Sequence, residues 1–196
     1  MPEIEGAIER GPDWYDQATR LAAIPLEDSP WLSLYAQAMV FMPPCTKQLS
    51  VLDIGCGTGR FAKMLKTCRY VDYLGIDFAP RLIEMARCYV PGFHFATVDI
   101  LNPAEIVVCR GFKVFVMLEI LEHLREDLAL LGHIPSGALI VGSVPNYGGA
   151  ETGHVRRFET WGEVVERYAG YIRINRHAVV EFWQDKRCFV FQAVRR

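Results

Sequence analysis

The sequence lacks the features of several common protein classes. It contains no apolar run of the roughly 18 residues that a transmembrane helix needs. Its first residues are acidic and include no apolar segment, which argues against a secretory signal. The formal net charge is -2, so no excess of positive charge is available to neutralise nucleic-acid phosphates. We therefore expect a cytoplasmic protein whose partner is neither a membrane nor nucleic acid.

The cysteines form neither a metal-binding nor a redox pattern. No two of them make a C-x-x-C pair, and their spacing matches no zinc motif. Their even number leaves a disulfide framework open, but 196 residues can bury a core that needs no cross-links. We expect reduced thiols at the six positions, which are Cys45, Cys56, Cys68, Cys88, Cys109 and Cys188.

Short apolar runs alternate with helical stretches from Leu49 onward. The runs do not alternate between apolar and polar residues, which is typical of parallel strands covered on both faces. The predicted strands are Leu49–Ile54, Tyr73–Ile76, His94–Val98, Lys113–Leu118 and Ala138–Val144. The predicted helices between them are Arg60–Lys66, Pro80–Tyr89 and Leu121–Leu131. This order predicts a doubly wound α/β fold with helices on both faces of a mostly parallel sheet.

The N-terminal part differs from this pattern. Residues 1–48 predict a helical extension with helices at Trp14–Ala23 and Pro30–Met42. Ser29 is the expected N-cap of the second helix, with proline at its first position. The extension either forms a lid over a bound ligand or packs against the edge of the sheet.

The C-terminal part predicts a helix followed by neighbouring strands. The helix is expected at Thr160–Tyr168, and the strands at Tyr171–Asn175, Val179–Trp183 and Cys188–Val194. A tight turn at residues 184–186 joins the last two strands, and strands joined in this way are antiparallel. The sheet should therefore end in an antiparallel hairpin.

Three glycines at alternate positions separate the first predicted strand from the first helix, in the string VLDIGCGTGR at residues 51–60. Glycine lets the backbone turn sharply and approach a ligand closely, and a helix start presents free N–H groups to that ligand. Residues 57–62 also match the G-x-G-x-x-A fingerprint of dinucleotide-binding proteins, with Asp77 at the spacing of their ribose-binding acid. A strand–helix turn that merely needs glycine is the remaining alternative.

The glycine string and four later segments resemble class I (Rossmann-like) methyltransferases that use S-adenosylmethionine (SAM). The local strings are most similar to the group that resembles ubiquinone-biosynthesis O-methyltransferases. The resemblance covers residues 45–196 and implies a seven-stranded sheet with an antiparallel last strand and a SAM-binding domain at 49–196. The segments that carry it are Asp53-x-Gly55-x-Gly57-x-Gly59, Leu74–Asp77, Val98–Ile100, Phe115–Leu124 and Ser143–Asn146.

The resemblance also implies roles in cofactor binding. Asp77 would accept hydrogen bonds from both ribose hydroxyls, although an N-cap for the next helix is the alternative. Asp99 would accept from the adenine amino group, with a plain loop acid as the alternative. The remaining contacts would come from Asp53 near the methionine ammonium group, from the loop residues Gly55, Cys56, Gly57 and Gly59, from Phe78 and Ile100 around adenine, and from Leu118 near the sulfonium.

An E-x-x-E-H string marks the acceptor side of the expected site. A helix would place Glu119 and His123 on one face, and both are candidate catalytic residues together with His154. Small-RNA 2′-O-methyltransferases bind a divalent metal through E-x-x-E-H and a later histidine, and the string in this chain resembles theirs. The same string is common in metal-free members of the family, so we expect no metal. A structural histidine is the alternative at His123 and at His154.

The sequence therefore predicts a SAM-dependent methyltransferase that acts on the oxygen or nitrogen of a small-molecule acceptor. Arg156 or Arg157 could hold an anionic group of that acceptor, and a solvated charge is the alternative for both. Three other functions stay open: a metal-assisted RNA 2′-O-methyltransferase, an NAD-type dinucleotide-binding protein and a SAM-binding protein without catalytic activity.

Overall fold

A single mixed sheet forms the centre of the molecule. The computed structural model describes residues 3–17, 24–182 and 185–196. Its strands are β1 (Ser50–Ile54), β2 (Asp72–Asp77), β3 (His94–Thr97), β4 (Val114–Met117), β5 (Leu139–Pro145), β6 (Ile172–Glu181) and β7 (Arg187–Arg195). They lie in the order β3-β2-β1-β4-β5-β7-β6. The predicted doubly wound, seven-stranded α/β fold is confirmed.

Strand pairing leaves a crevice at one edge of this sheet. β1 pairs in parallel with β2 and β4, β2 pairs in parallel with β3, and β4 pairs in parallel with β5. β7 is antiparallel to both β5 and β6, as the predicted C-terminal hairpin requires. The strand order reverses between β1 and β4, because β2 and β3 lie beyond β1 and β5 lies beyond β4. The loops that follow β1 and β4 therefore diverge.

Helices cover both faces of the sheet. They are α1 (Pro12–Gln17), α2 (Leu32–Phe41), α3 (Arg60–Thr67), α4 (Pro80–Tyr89), α5 (Asp127–His133) and α6 (Trp161–Tyr168). Short 3-10 turns occur at Leu26–Asp28, Ile106–Cys109, Leu121–His123 and Ala150–Thr152. Among the described residues, no helix has the length and apolar character needed to cross a membrane.

The first strand explains why the apolar runs do not alternate. All five residues of β1 are buried. Val51 belongs to one hydrophobic cluster and Leu52 to another, because successive side chains of a strand point to opposite faces. Each face is covered by helices, so both positions need apolar side chains.

The N-terminal helices begin at other residues than predicted. The first begins at Pro12 rather than Trp14 and is described as far as Gln17, and the remainder of the predicted helix, residues 18–23, lies outside the described residues. The second begins at Leu32, after an N-cap at Trp31 that makes no side-chain cap bond. The prediction of Ser29 as the N-cap is wrong, because the helix begins two residues later than predicted. The Ser29 hydroxyl accepts from the Trp31 N–H in the turn before the helix.

The prediction of two separate strands after Tyr171 is wrong. One strand, β6, runs through both, and a register irregularity between Ile174 and Arg176 lets it continue beside β7. A β-bulge of this kind absorbs an extra residue without ending the strand, and it breaks the apolar alternation by which a strand is recognised in a sequence. Trp183, the predicted end, lies outside the described residues.

The predicted helix Leu121–Leu131 is also wrong. The chain forms a 3-10 turn at Leu121–His123 and starts α5 only at Asp127. The Arg156 guanidinium donates to the carbonyls of Leu121, Leu124 and Arg125, which a continuous helix would have used for its own hydrogen bonds. A distant buried side chain therefore replaces the local helical ladder.

Candidate active site

A cavity of about 460 Å³ opens at the carboxyl ends of β1 to β4. This is the edge at which doubly wound sheets bind ligands, because the loops diverge there. The parallel order brings to this one place residues that are far apart in the sequence. Its lining includes eight of the predicted site residues: Gly55, Gly57, Asp77, Phe78, Asp99, Ile100, Glu119 and His123.

The other predicted site residues are buried away from the lining. His154 packs against His123 with 4.6 Å between ring centroids, so it belongs to a second layer around the cavity. Contacts of this layer with a bound cofactor stay predictions. The residues concerned are Asp53, Cys56, Gly59, Leu118 and His154.

The glycine loop meets the cavity through backbone that other residues would not easily adopt. Gly55 and Gly57 have φ values of +73° and +53°, in the left-handed region that favours glycine. A Cβ on Gly55 would lie 2.8 Å from Cδ1 of Ile120, so the position is also closed by packing. A Cβ on Gly57 would meet no atom within 4 Å, which leaves space for a ligand beside this peptide.

Asp77 fixes the two loops at the mouth of the cavity. One carboxylate oxygen accepts from the Gly57 N–H at 3.0 Å, and the other accepts from the Ala79 N–H at 3.0 Å. Burial raises the pKa of Asp77, while these backbone hydrogen bonds oppose the shift. The alternative of a helix cap holds only in part, because the N-cap of α4 is Ala79 and not Asp77.

Asp53 lies in β1 beneath the loop. The Tyr73 hydroxyl donates to its carboxylate at 2.8 Å. Burial raises the pKa of Asp53 to about 7, against the lowering effect of this hydrogen bond. Asp53 is therefore held by Tyr73, and its carboxyl can change its charge near neutral pH.

The far end of the cavity combines an acid with apolar walls. Asp99 accepts from the Leu101 N–H at 3.0 Å, and its own N–H donates to Glu105 at 2.8 Å. These hydrogen bonds hold the loop after β3 in place. Phe78 and Ile100 line the same region, so a flat apolar group can pack beside a carboxylate.

The N-terminal segment contributes to the lining of the cavity. Tyr15 of α1 contacts the Phe78 ring with 5.3 Å between centroids, and its hydroxyl lies 3.0 Å from Nδ1 of His123. Arg10 also lines the cavity and donates to the Ala150 carbonyl at 3.0 Å. Sequence reasoning identifies Tyr15 only as part of a possible lid and misses Arg10, which carries no local motif.

Glu119 sits at the end of β4 in a network of donors. Its carboxylate accepts from the hydroxyls of Ser143 and Tyr147 at 2.8 and 2.9 Å, and from the Cys188 thiol at 3.2 Å. Burial raises the pKa of Glu119, and these hydrogen bonds oppose the shift. Its φ of +56° shows that it is not helical, so the predicted common helical face with His123 is wrong.

Ser143 and Tyr147 were missed as site residues, although a signal was available. Both lie at or just after the carboxyl end of β5, which neighbours β4 in the sheet. Polar side chains at adjacent carboxyl ends of parallel strands meet at one edge. Cys188 carried no comparable signal, because its position depends on antiparallel pairing with β5.

Glu122, His123 and His154 form a compact cluster beside the cavity. One potential ligand atom from each lies within 4.8 Å of the others. Burial lowers the pKa of His123 to about 3 and also lowers the pKa of His154, so both imidazoles are neutral at physiological pH. Burial raises the pKa of the Glu122 carboxyl, and the nearby charge of Glu119 adds to this effect.

The two arginines expected near a substrate lie elsewhere. Arg156 is 2% exposed and is occupied by backbone carbonyls and by Asp127, 3.1 Å away. It is therefore neither a solvated charge nor accessible to an anionic substrate. Arg157 is exposed and pairs with Glu159 at 2.9 Å. Among the described residues, Arg10 is the one lysine or arginine on the cavity lining.

Comparison with known proteins identifies the domain. Residues 20–185 match the profile of the methyltransferase domain family. This chain belongs to that family. The match favours the methyltransferase interpretation of the glycine loop over the dinucleotide alternative, and it confirms the prediction of a SAM-dependent methyltransferase domain with SAM as the cofactor.

Individual members show how far the likeness extends. A ubiquinone biosynthesis O-methyltransferase from Rhodopseudomonas palustris (strain BisB5) is 28% identical over 111 residues, which span 51% of this chain but only 42% of that protein. The N-methyltransferase NodS from Bradyrhizobium japonicum WM9, in complex with S-adenosyl-L-homocysteine, has a TM-score of 0.73 at 20% identity and covers 92% of this chain and 97% of its own. A SAM-dependent methyltransferase from Anabaena variabilis ATCC 29413 has a TM-score of 0.74 at 16% identity, and the match covers 100% of this chain and 99% of that protein.

Proposed function

We propose that this methyltransferase transfers the methyl group of SAM to an oxygen or nitrogen of a small-molecule acceptor bound in the cavity. The observation that carries the proposal is the convergence of the glycine loop, Asp77 and Asp99 on one cavity of about 460 Å³. A cavity of this size accommodates a nucleoside-sized cofactor with part of a small acceptor.

The charge of the lining supports a cationic donor. Four carboxyl side chains face the cavity, from Glu9, Asp77, Asp99 and Glu119, against the guanidinium of Arg10. SAM carries a sulfonium and an ammonium group, and opposite charges attract strongly where water is excluded. The same acidic lining disfavours RNA as the acceptor, because nucleic-acid binding needs cationic side chains along the phosphates.

The cofactor would lie along the three loops in a definite order. In this proposal, the peptides of Gly55 and Gly57 pack against its methionine part. Asp77 gives up one of its two backbone hydrogen bonds and accepts from the ribose hydroxyls instead. Asp99 accepts from the adenine amino group, and Phe78 with Ile100 packs against the adenine faces. Asp53, Cys56, Gly59 and Leu118 would support this arrangement from behind the lining.

The acceptor would approach past Glu119, His123 and Tyr15. Methyl transfer from a sulfonium is an in-line displacement with a neutral leaving group, so alignment of donor and acceptor contributes most. A pKa of about 3 makes His123 a poor proton acceptor, which favours a positioning role over proton abstraction. His154 would fix the His123 ring from behind.

Residues 1–48 would act as a lid over this acceptor. The contacts of Tyr15 with Phe78 and His123 support this part of the proposal. If the acceptor is anionic, Arg10 rather than Arg156 would bind its charged group. The Nε of Arg10 is buried and has no hydrogen-bond partner among the described residues, so a donor is available there.

Transfer of a labelled methyl group tests the proposal. SAM labelled in the methyl group is incubated with the protein and a panel of small alcohols, phenols and amines in neutral and carboxylated forms, with total RNA as a separate arm. We expect label in a small molecule, and Arg10→Met should reduce kcat/KM for the carboxylated form at least about 10-fold while Arg157→Met leaves it unchanged. Label in RNA alone, or in no arm, would contradict the proposal.

A further inference from the structure

The strand β6 ends the sheet and leaves one of its own edges unpaired. It pairs with β7, and no other described strand lies beside it. Every second residue of an antiparallel strand directs its backbone N–H and C=O away from its partner, so the outer edge of β6 carries a row of such groups. With ten residues, β6 is long enough for another extended segment to pair with it.

A groove of about 310 Å³ lies between this edge and helix α6. Its helix wall consists of Trp161, Val165 and Ala169, which are spaced four residues apart and therefore share one face. Val165 is 40% exposed, so this apolar stripe is open to solvent. Ile174 and His177 contribute to the strand wall, and the His177 ring stacks on Trp161 with 4.2 Å between centroids. The groove is thus apolar along its helix wall.

The two faces of β6 differ in their chemistry. Ile172 and Ile174 pack into the hydrophobic cluster on the face that α6 covers. Arg173 lies between them in the strand, so its side chain points to the opposite face. Arg176 points to that opposite face as well, because its guanidinium lies 4.8 Å from the centre of the Phe41 ring in α2. The register irregularity after Ile174 therefore places both arginines on the α2 side of the strand.

Positive charge borders the groove. The lining includes Arg173, Arg176 and Arg196 and no acidic side chain among the described residues. Arg176 donates to the Val40 carbonyl at 3.4 Å, and Arg196 donates to the Ile172 carbonyl at 3.2 Å. In the part of the chain that the structure describes, none of the three arginines forms an ion pair with a carboxylate. Their charge is therefore free to attract an acidic partner.

We propose that β6 and α6 form a docking site for an extended acidic segment of a partner protein, which joins the sheet as an eighth strand. The side chains of an added strand alternate between the two faces of the sheet. Those on one face enter the groove and contact the apolar stripe of Trp161 and Val165. Those on the other face lie beside Arg173 and Arg176. The segment that fits this site therefore alternates apolar and acidic residues.

A second copy of this chain fits the edge less well than an acidic segment does. Antiparallel pairing of two β6 strands across the groove would bring Arg173 of one copy near Arg176 of the other. Like charges that face each other destabilise a pair of strands. The docking site also lies apart from the cavity at the carboxyl ends of β1 to β4, so it does not depend on the proposed methyl transfer.

Selection from a phage-displayed library of random peptides, each as long as β6, tests the proposal. The groove variants are Arg173→Glu and Val165→Glu, and the matched controls are Arg110→Glu and Val107→Glu, at exposed positions before β4. We expect peptides enriched on the wild type to alternate apolar and acidic residues. The tightest peptide, labelled with fluorescein, should bind both controls like the wild type and each groove variant at least about 10-fold more weakly by fluorescence anisotropy.

Equal affinity of the groove variants and the controls for this peptide would overturn the proposal. So would enriched peptides without the alternation, or no enrichment on wild-type protein that melts cooperatively. Sedimentation of the protein without peptide examines the second copy as the occupant, and a dimer that Val165→Glu dissociates would overturn the proposal. Tighter binding of a single-stranded RNA oligonucleotide than of the selected peptide, lost in Arg173→Glu, would also overturn it.

Discussion

At the residue scale, Glu119 shows how a buried carboxylate is accommodated beside a ligand cavity. Two hydroxyls and a thiol donate to it, and its own N–H donates to Ser143 at 2.9 Å. The sequence identified Glu119 as a site residue but placed it on a helix with His123. The partners of Glu119 come from β5, the following loop and β7, and no local pattern encodes such contacts.

Tyr147→Phe tests this network. The change removes the hydroxyl that donates to Glu119 at 2.9 Å, and it leaves a buried carboxylate oxygen without that donor. We expect a loss of about 1–3 kcal/mol in the free energy of unfolding, measured by urea denaturation. Tyr171→Phe, at a half-buried tyrosine beside Arg195, should change it by less than about 0.5 kcal/mol. Equal effects of the two substitutions would refute the network's contribution.

Asp53 predicts a pH dependence of stability. Its pKa is raised to about 7, so the folded state holds the proton more tightly than the unfolded chain, whose aspartate pKa is about 4. The stabilisation from this proton is complete below about pH 4 and is lost as pH rises to about 7. The wild type should therefore lose stability relative to Asp53→Asn across this window.

The measurement is urea unfolding of both proteins at pH values from about 4 to 8. Taking the difference between the two proteins removes the contributions of titrating groups that do not interact with Asp53, such as His123, which both proteins share. Parallel stability profiles would show that Asp53 titrates alike in the folded and unfolded states, and that its burial does not raise its pKa.

At the element scale, the sequence predicted the parallel strands well and the loop after β4 poorly. β4 was expected at Lys113–Leu118 and is observed at Val114–Met117, because a strand buried on both faces leaves a plain apolar run. The segment 121–131 has helical periodicity but forms a turn and a short helix. The Arg156 guanidinium, distant in sequence, donates to backbone carbonyls of this segment that a helix would use for its own hydrogen bonds. The periodicity of the segment carries no information about such a distant donor.

Arg156→Met tests the idea that this side chain shapes the loop. It would leave buried carbonyls without donors and remove one of two cations paired with Asp127. We expect a loss of about 3 kcal/mol or more in the free energy of unfolding. Arg157→Met is the neighbouring control, at a side chain that is 52% exposed, and should cost less than about 0.5 kcal/mol. A similar small effect of both would contradict the assigned role.

At the scale of the whole molecule, the parallel order of the sheet explains why the cofactor residues were predictable. Asp77 is the last residue of β2, and Gly57 and Asp99 follow β1 and β3. The carboxyl ends of parallel strands share one edge, so the three residues meet at the cavity. The contribution of the N-terminal segment to the lining was less predictable. Arg10 and Ala150 are 140 residues apart in sequence, and their hydrogen bond depends on the complete fold.

Calorimetric titration with S-adenosylhomocysteine tests the central claim, that this cavity holds SAM, most directly. Wild-type protein is compared with Asp77→Ala and with Asp72→Ala, an exposed aspartate at the other end of β2, and NAD is titrated as the control ligand. We predict binding to the wild type and Asp72→Ala, a loss of at least about 30-fold in Asp77→Ala, and no heat with NAD. Binding of NAD, or equal affinity of all three proteins for S-adenosylhomocysteine, would contradict the claim.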